Sequence, residues 1–445
     1  MEFEVLKRNH LKRNIIIAVI VISIISAIIL NFTSAKYRVT DSIPLINGTI
    51  NYKPYDFKLM AMYQEQDGEY VEVDKMPSSG YVINEEKSYC TIDNVNKDEE
   101  SVLYTNDNGE HVISGLKKNS KCYLYFDEGA KFLKDVILSG KSIKERRTFT
   151  EIITEISNDI IYQAEDDLGT TYYFSGNVTN NYVYFAGFYW RIIRINGNNS
   201  IRIIYQGASA TSLGADAQID TGSYNGGDFW GADKEFVGYM YTQNQDHGLS
   251  TNSVIKSRID LWYEENLSAY GEYLDSEAGF CNDRTIASDN VDGWGSESFN
   301  AYERLTESNF PTFKCEYDDD LFTTSTSSIG NNALEYPIGL ITADEVVYAG
   351  SLYAEPRTTN GNTSYFLYTG ANYWTMSPSL YYNGTNGVYA QVMLVDQYGN
   401  ITSSLNKNYD DGVYITAGIR PVINLRSDAT ISEGNGTINS PYIVY

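Results

Sequence analysis

Histidine is scarce in this chain: His10, His111 and His247 are the only three in 445 residues. No Cys-x-x-Cys pair accompanies them, which argues against a zinc site. No Gly-x-Ser-x-Gly elbow and no phosphate-cradling glycine loop occurs, so the signatures of a serine hydrolase and of a nucleotide enzyme are missing. His247 is the sole histidine of the large C-terminal region, and no nucleophile signature flanks it. The expectation is a protein that is not an enzyme, with no catalytic residue assigned. Basic charge is also short: 33 Lys+Arg stand against 58 Asp+Glu, for a formal charge of −25. Nucleic-acid binding draws most of its affinity from basic patches, so that class is excluded. Acidity serves solubility. Calcium is an alternative use, with Asp216–Asp220 and Asp318–Asp320 as oxygen-rich stretches, although neither matches an EF-hand loop. Otherwise no cofactor is expected.

Long apolar runs are absent but for one, Ile15–Leu30, preceded by Lys7, Arg8, Lys12 and Arg13. With Asn31 and Phe32 it approaches the ~20 residues of a membrane-spanning helix. The basic flank predicts a single-pass anchor with the bulk of the chain outside the cell. A cleaved signal peptide ending at Thr33-Ser34-Ala35 is the competing reading. Residues 1–35 are thus assigned as cytoplasmic tail and anchor, at the cell membrane. The four cysteines, Cys90, Cys122, Cys281 and Cys315, are even in number, as a disulfide set in an oxidising compartment would be. Of three pairings, Cys90–Cys122 with Cys281–Cys315 is the simplest.

What the chain has in quantity is tyrosine, 39 residues, with many Asn, Gly, Ser and Thr. An AT-rich genome yields the same enrichment. The composition also suits a β-rich scaffold with recognition loops, where Tyr offers contact area at small entropy cost. The stretch that organises the chain is Asn181–Gly207. It reads as strands Tyr182–Ile195 and Ser200–Gln206 around the turn Asn196–Asn199, and Asn-Gly between β-branched runs is a hairpin signal. Both faces carry bulk, which places the hairpin inside a domain.

Around it, residues 36–133 read as short strands and turns. The run Ser114–Ser120 followed by Tyr123-Leu124-Tyr125 resembles the late strands of an immunoglobulin or fibronectin type III sandwich, which implies a spacer. Residues 134–159 read as a linker with a short helix, from the apolar spacing at 149, 152, 153 and 156. Within 160–445 a helix is predicted over Ser253–Leu267, capped by Thr251 or Asn252. A capping box at Thr342–Glu345 starts another. Short strands are expected at Ser364–Tyr368, Tyr373–Ser377, Val388–Asp396 and Ile419–Leu425.

The closing motifs, Tyr373-Trp374-Thr375-Met376-Ser377-Pro378 and Gly418-Ile419-Arg420-Pro421-Val422-Ile423-Asn424-Leu425, resemble those of the bacterial C-type-lectin fold. The branch is the one shared by formylglycine-generating-enzyme-like domains and variable receptor-binding proteins. Trp190–Ile195 and Pro337–Tyr348 also resemble surface proteins of Gram-positive bacteria. The resemblance implies a C-type-lectin-like head with long loops; with the transmembrane helix read from the apolar run and the β-sandwich spacer, the expected chain is α+β. It carries no enzyme activity over, since the cysteines miss the oxidase motif. Trp374 and Arg420 are expected in structural roles. The expected function is cell-surface recognition of a glycan or protein. Trp230, Tyr239, Tyr241, Tyr381, Tyr382, Asn383, Tyr409 and Tyr414 are the candidate contacts. An extracellular glycan hydrolase and a structural envelope component are the alternatives.

Overall fold

The computed structural model describes residues 57–444, apart from 67, 78–79, 93–95, 106–110, 130, 227–232, 290–294, 326–328, 355–357, 385–386, 404–411 and 414. The described residues belong to one compact unit. Sheets dominate it, and only 15% of the described residues are helical. The α+β expectation is therefore corrected to a mainly β protein. The longest described helix, Val254–Asn266, has 13 residues, and no described helix is long and apolar enough to cross a membrane. The anchor expected over Ile15–Leu30 lies outside the described residues, and the membrane location inferred from it is not carried forward.

Two hydrophobic cores form. The smaller gathers eight buried residues between Met62 and Phe126. Its centre is Ser120–Glu128, where Ser120, Cys122, Leu124 and Phe126 point inward and Tyr123 and Tyr125 outward, the period-2 alternation of a half-buried strand. This strand pairs in parallel with Phe57–Gln66 and antiparallel with Tyr81–Ile83 and Tyr89–Thr91. The ribbon Val102–Thr105/His111–Ser114 adds Leu103 and Ile113 to the same core. Cys90 and Cys122 stand opposite each other in register and are bonded. On the outer face Tyr63 stacks on Tyr125 with centroids 4.6 Å apart, and Tyr89 on Tyr123 at 5.1 Å.

The larger core is built on the expected hairpin, now seen as Phe188–Ile195 against Ile201–Gly207. Nearly every residue of both strands is buried, so both faces are covered. The predicted first strand is broken: Tyr182–Phe185 folds back on Phe188–Ile195 through Ala186 (φ 52°) and Gly187 (φ 83°). Two successive left-handed residues form a tight turn whose glycine carries little strain. At the second turn Asn199, not Gly197, takes positive φ. Gly197 answers a different need, since a Cβ there would sit 2.3 Å from the backbone N of Gly169. The hairpin lies at the middle of a nine-stranded sheet, next to Val422–Leu425 and Gly169–Tyr173. A seven-stranded sheet centres on Tyr373–Gly384, paired with Gly387–Val395.

Helix Val254–Asn266 forms with Ser253 as its cap, one residue later than expected. The capping box at Thr342 and Glu345 is complete. No helix forms over residues 149–156. Their backbone bonds elsewhere, Ile153 N–H donating to Gly350 O and Glu155 O accepting from Asn177 N. Phe149 is buried while Ile152 and Ile156 are exposed, so the helical spacing does not correspond to one buried face. The short helix of this region is Leu133–Leu138, and Leu133 and Ile137 join the larger core. Ser364–Tyr368 is a turn rather than a strand.

Candidate functional site

Of the expected contact residues, Trp230, Tyr409 and Tyr414 lie outside the described residues. Tyr239 is corrected: it is fully buried, edge-on to Phe322 at 5.8 Å, and serves the core. Tyr241 is half-buried and packs on Phe236 at 5.1 Å. Phe236 belongs to the turn Lys234–Val237, which packs on both strands of the Tyr373–Gly384/Gly387–Val395 hairpin. Tyr381, Tyr382 and Asn383 come together at that hairpin's far end. Tyr382 pairs in register with Tyr389, and their rings stack at 5.1 Å and 8°. Tyr389 is fully buried, so the half-buried Tyr382 rests on a fixed base. Asn383 is exposed, and its backbone N–H donates to Ser296 Oγ at 3.0 Å. Burial and the nearby Asp233, Glu297 and Glu235 carboxylates raise the Tyr381 hydroxyl, which stays protonated at neutral pH.

Trp374 and Arg420 are structural. Trp374 is buried and donates from Nε1 to Gly222 O at 2.8 Å. Arg420 is fully buried and ties the Tyr205 and Leu367 carbonyls to the closing strand. The two disulfides are Cys90–Cys122 and Cys281–Cys315.

A second site went unforeseen. A cleft of about 40 Å³ is walled by six carboxylates and four cationic side chains. The central hairpin supplies Arg194 and Arg202, and the capping-box helix supplies Asp344 and Glu345. Arg194 bridges Asp166 (2.5 Å) and Glu345 (3.1 Å), and Arg202 meets the same Glu345 at 2.5 Å. Burial alone would raise Glu345, but the two guanidiniums outweigh it and hold the carboxyl below its usual range. Arg304 grips Asp344 with two nitrogens, at 2.8 and 2.9 Å, and Asp283 at 2.7 Å. Arg304 opens a π-helical turn, Arg304–Ser308, a form concentrated at functional sites. Asp283 holds positive φ (49°), and burial pushes its carboxyl up to about 6 against the pull of Arg304. The Cys281–Cys315 bridge borders the cleft, with Cys315 N–H donating to both oxygens of Asp167.

His247 does not line this cleft. Its Nδ1 lies 3.1 Å from Asp320, and its ring stacks on Tyr317 at 5.2 Å. The bond to Asp320 raises the imidazole pKa despite its partial burial. Asp320 is shared with Arg284, and Asp220 is paired with Arg258, so neither acidic stretch keeps all its oxygens for calcium. Among the described residues no group of three or more His, Cys, Asp or Glu is placed to hold a metal.

One sequence signal for the cleft existed: Arg194 and Arg202 are charged residues in strands rich in isoleucine and aromatics. Their partners were not readable, because Glu345 lies 151 residues from Arg194. No protein-family model, curated protein or solved structure matches the chain.

Proposed function

We propose that the chain is a ligand-binding protein that presents the far end of the Tyr373–Gly384/Gly387–Val395 hairpin to a glycan or a protein surface. The observation that carries this is the Tyr382 ring, already immobilised on buried Tyr389 at the hairpin's end, with the exposed Asn383 next to it in the strand and on the other face. A ring ordered in advance loses little entropy on binding, and an aromatic face meets sugars and protein surfaces alike. Tyr381 and Tyr241 extend the same region. The reading is in keeping with the C-type-lectin resemblance of the closing motifs, a fold that displays loops for recognition. Two disulfides suit an oxidising setting, where such a protein would meet its ligand.

The test is binding of the full-length chain to glycan and protein arrays, beside Tyr382→Ala and Asn383→Ala. Selective binding that falls at least about tenfold in either variant, 1.4 kcal/mol or more, is the expected result. Binding that both variants retain in full would remove the hairpin end from recognition.

A further inference from the structure

The hairpin end leaves the charged cleft without a role, and its bonding is incomplete. Its arginines are engaged: Arg194 and Arg202 on Glu345, Arg304 on Asp344 and Asp283. Two of its acceptors are not matched. Asp167 accepts the Cys315 N–H but has no cation at ion-pair distance among the described residues. Asn196, 1% exposed, has an Oδ1 with no partner. The orientation of that amide is fixed by its neighbours. Asn424 donates its Nδ2 to Ala278 O, so Asn424 Oδ1 is an acceptor and takes the Asn196 Nδ2 at 3.0 Å. Ser200 Oγ donates to Asn198 Oδ1, so it too accepts from Asn196 Nδ2, at 2.8 Å. Turning the amide over would set acceptor against acceptor at Asn424, so Oδ1 stays without a donor. A buried acceptor left so costs roughly 1–3 kcal/mol unless something supplies the hydrogen.

We propose that the cleft binds a primary ammonium group. The unmet groups, a carboxylate and an amide oxygen, call for a donor that carries positive charge. Six carboxylates against four cations give the walls a net negative charge. The volume of about 40 Å³ admits an ammonium head with a water or two. A metal ion fits less well, since the described residues bring no three carboxylate, His or Cys groups together for one. The ammonium could belong to a free small amine or to a lysine side chain, and the chemistry is the same.

The test is calorimetric titration of the full-length chain with methylammonium, with glycine and with a short lysine-containing peptide, each against potassium chloride at equal ionic strength. Saturable heat from any amine, absent with potassium, is expected. Binding by methylammonium or glycine identifies a free amine, and binding by the peptide alone identifies a lysine side chain; either supports the site. Asp167→Asn keeps an acceptor for the Cys315 N–H and removes the charge, so it should weaken the amine at least tenfold. Tyr382→Ala should leave it unchanged, which separates this site from the hairpin end. Equal heats from amine and potassium would mean that the cleft holds water only. An unchanged affinity in Asp167→Asn would overturn the assignment.

Discussion

The two cores of this protein are closed in opposite ways. The smaller has eight buried apolar residues, and a disulfide stands among them with both sulfurs out of contact with solvent. The larger surrounds a hairpin that buries arginines, each answered by a carboxylate or a carbonyl. The two bridges close loops of similar length, with separations of 32 and 34 residues. By chain entropy each contributes about 4 kcal/mol. Their surroundings differ: Cys90 and Cys122 are fully buried, whereas Cys281 and Cys315 are half-buried at the edge of a charged cleft. A small core needs a staple because it has little area to bury. A large core can spend stability on polar contacts that fix which residues meet, and here those contacts shape a cleft.

The sharpest way to break this contrast is to unpair the hairpin. Arg194→Met leaves Asp166 and Glu345 short of a cation in the interior. It should cost about 3–5 kcal/mol in urea unfolding. A loss below 1 kcal/mol would mean that the network carries little of the larger core. Next comes the staple. Replacing Cys90 and Cys122 together by Ala should cost about 4 kcal/mol and, in a thermal scan, melt residues 57–132 ahead of the rest. A single unshifted transition would contradict the smaller core's dependence on its bridge. Under mild reductant without denaturant, thiol labelling should reach Cys281 and Cys315 first.

The cleft's titration sharpens the comparison further. Asp283 has its carboxyl raised to about 6, so the folded state holds a proton that the unfolded chain, near 3.8, releases. Its contribution is therefore favourable at low pH and is lost as pH rises through 6. Relative to Asp283→Asn, which also tolerates positive φ, the wild type should lose about 2 kcal/mol between pH 4 and pH 6.5. Parallel pH dependence of the two proteins would contradict the raised carboxyl. The smallest effect is local: Thr342→Ala removes one half of the capping box and should cost about 1 kcal/mol.

Much of this was legible in short stretches of sequence. The Asn196–Asn199 turn, the Val254–Asn266 helix, the Thr342–Glu345 cap and the pairing of the cysteines follow from local chemistry or simple counting. The failures share a cause, which is tertiary choice. Phe149, Ile152 and Ile156 have helical spacing, yet residues 149–156 bond to Gly350 and Asn177 instead. Tyr239 reads as a loop aromatic and is core. Ala186-Gly187 carries a turn inside a run that looks like one strand. The cleft joins Asp166, Arg194, Asp283 and Glu345 across the chain, and nothing local marks which acid meets which base.

The central claim is that recognition sits on the hairpin end and is separate from the cleft. It is tested most directly by titrating the ligand found on the arrays against wild type, Tyr382→Ala and Asp167→Asn in parallel. Loss of at least tenfold in Tyr382→Ala with wild-type affinity in Asp167→Asn is the predicted result. Loss in Asp167→Asn with Tyr382→Ala unaffected would contradict it and move the ligand into the cleft.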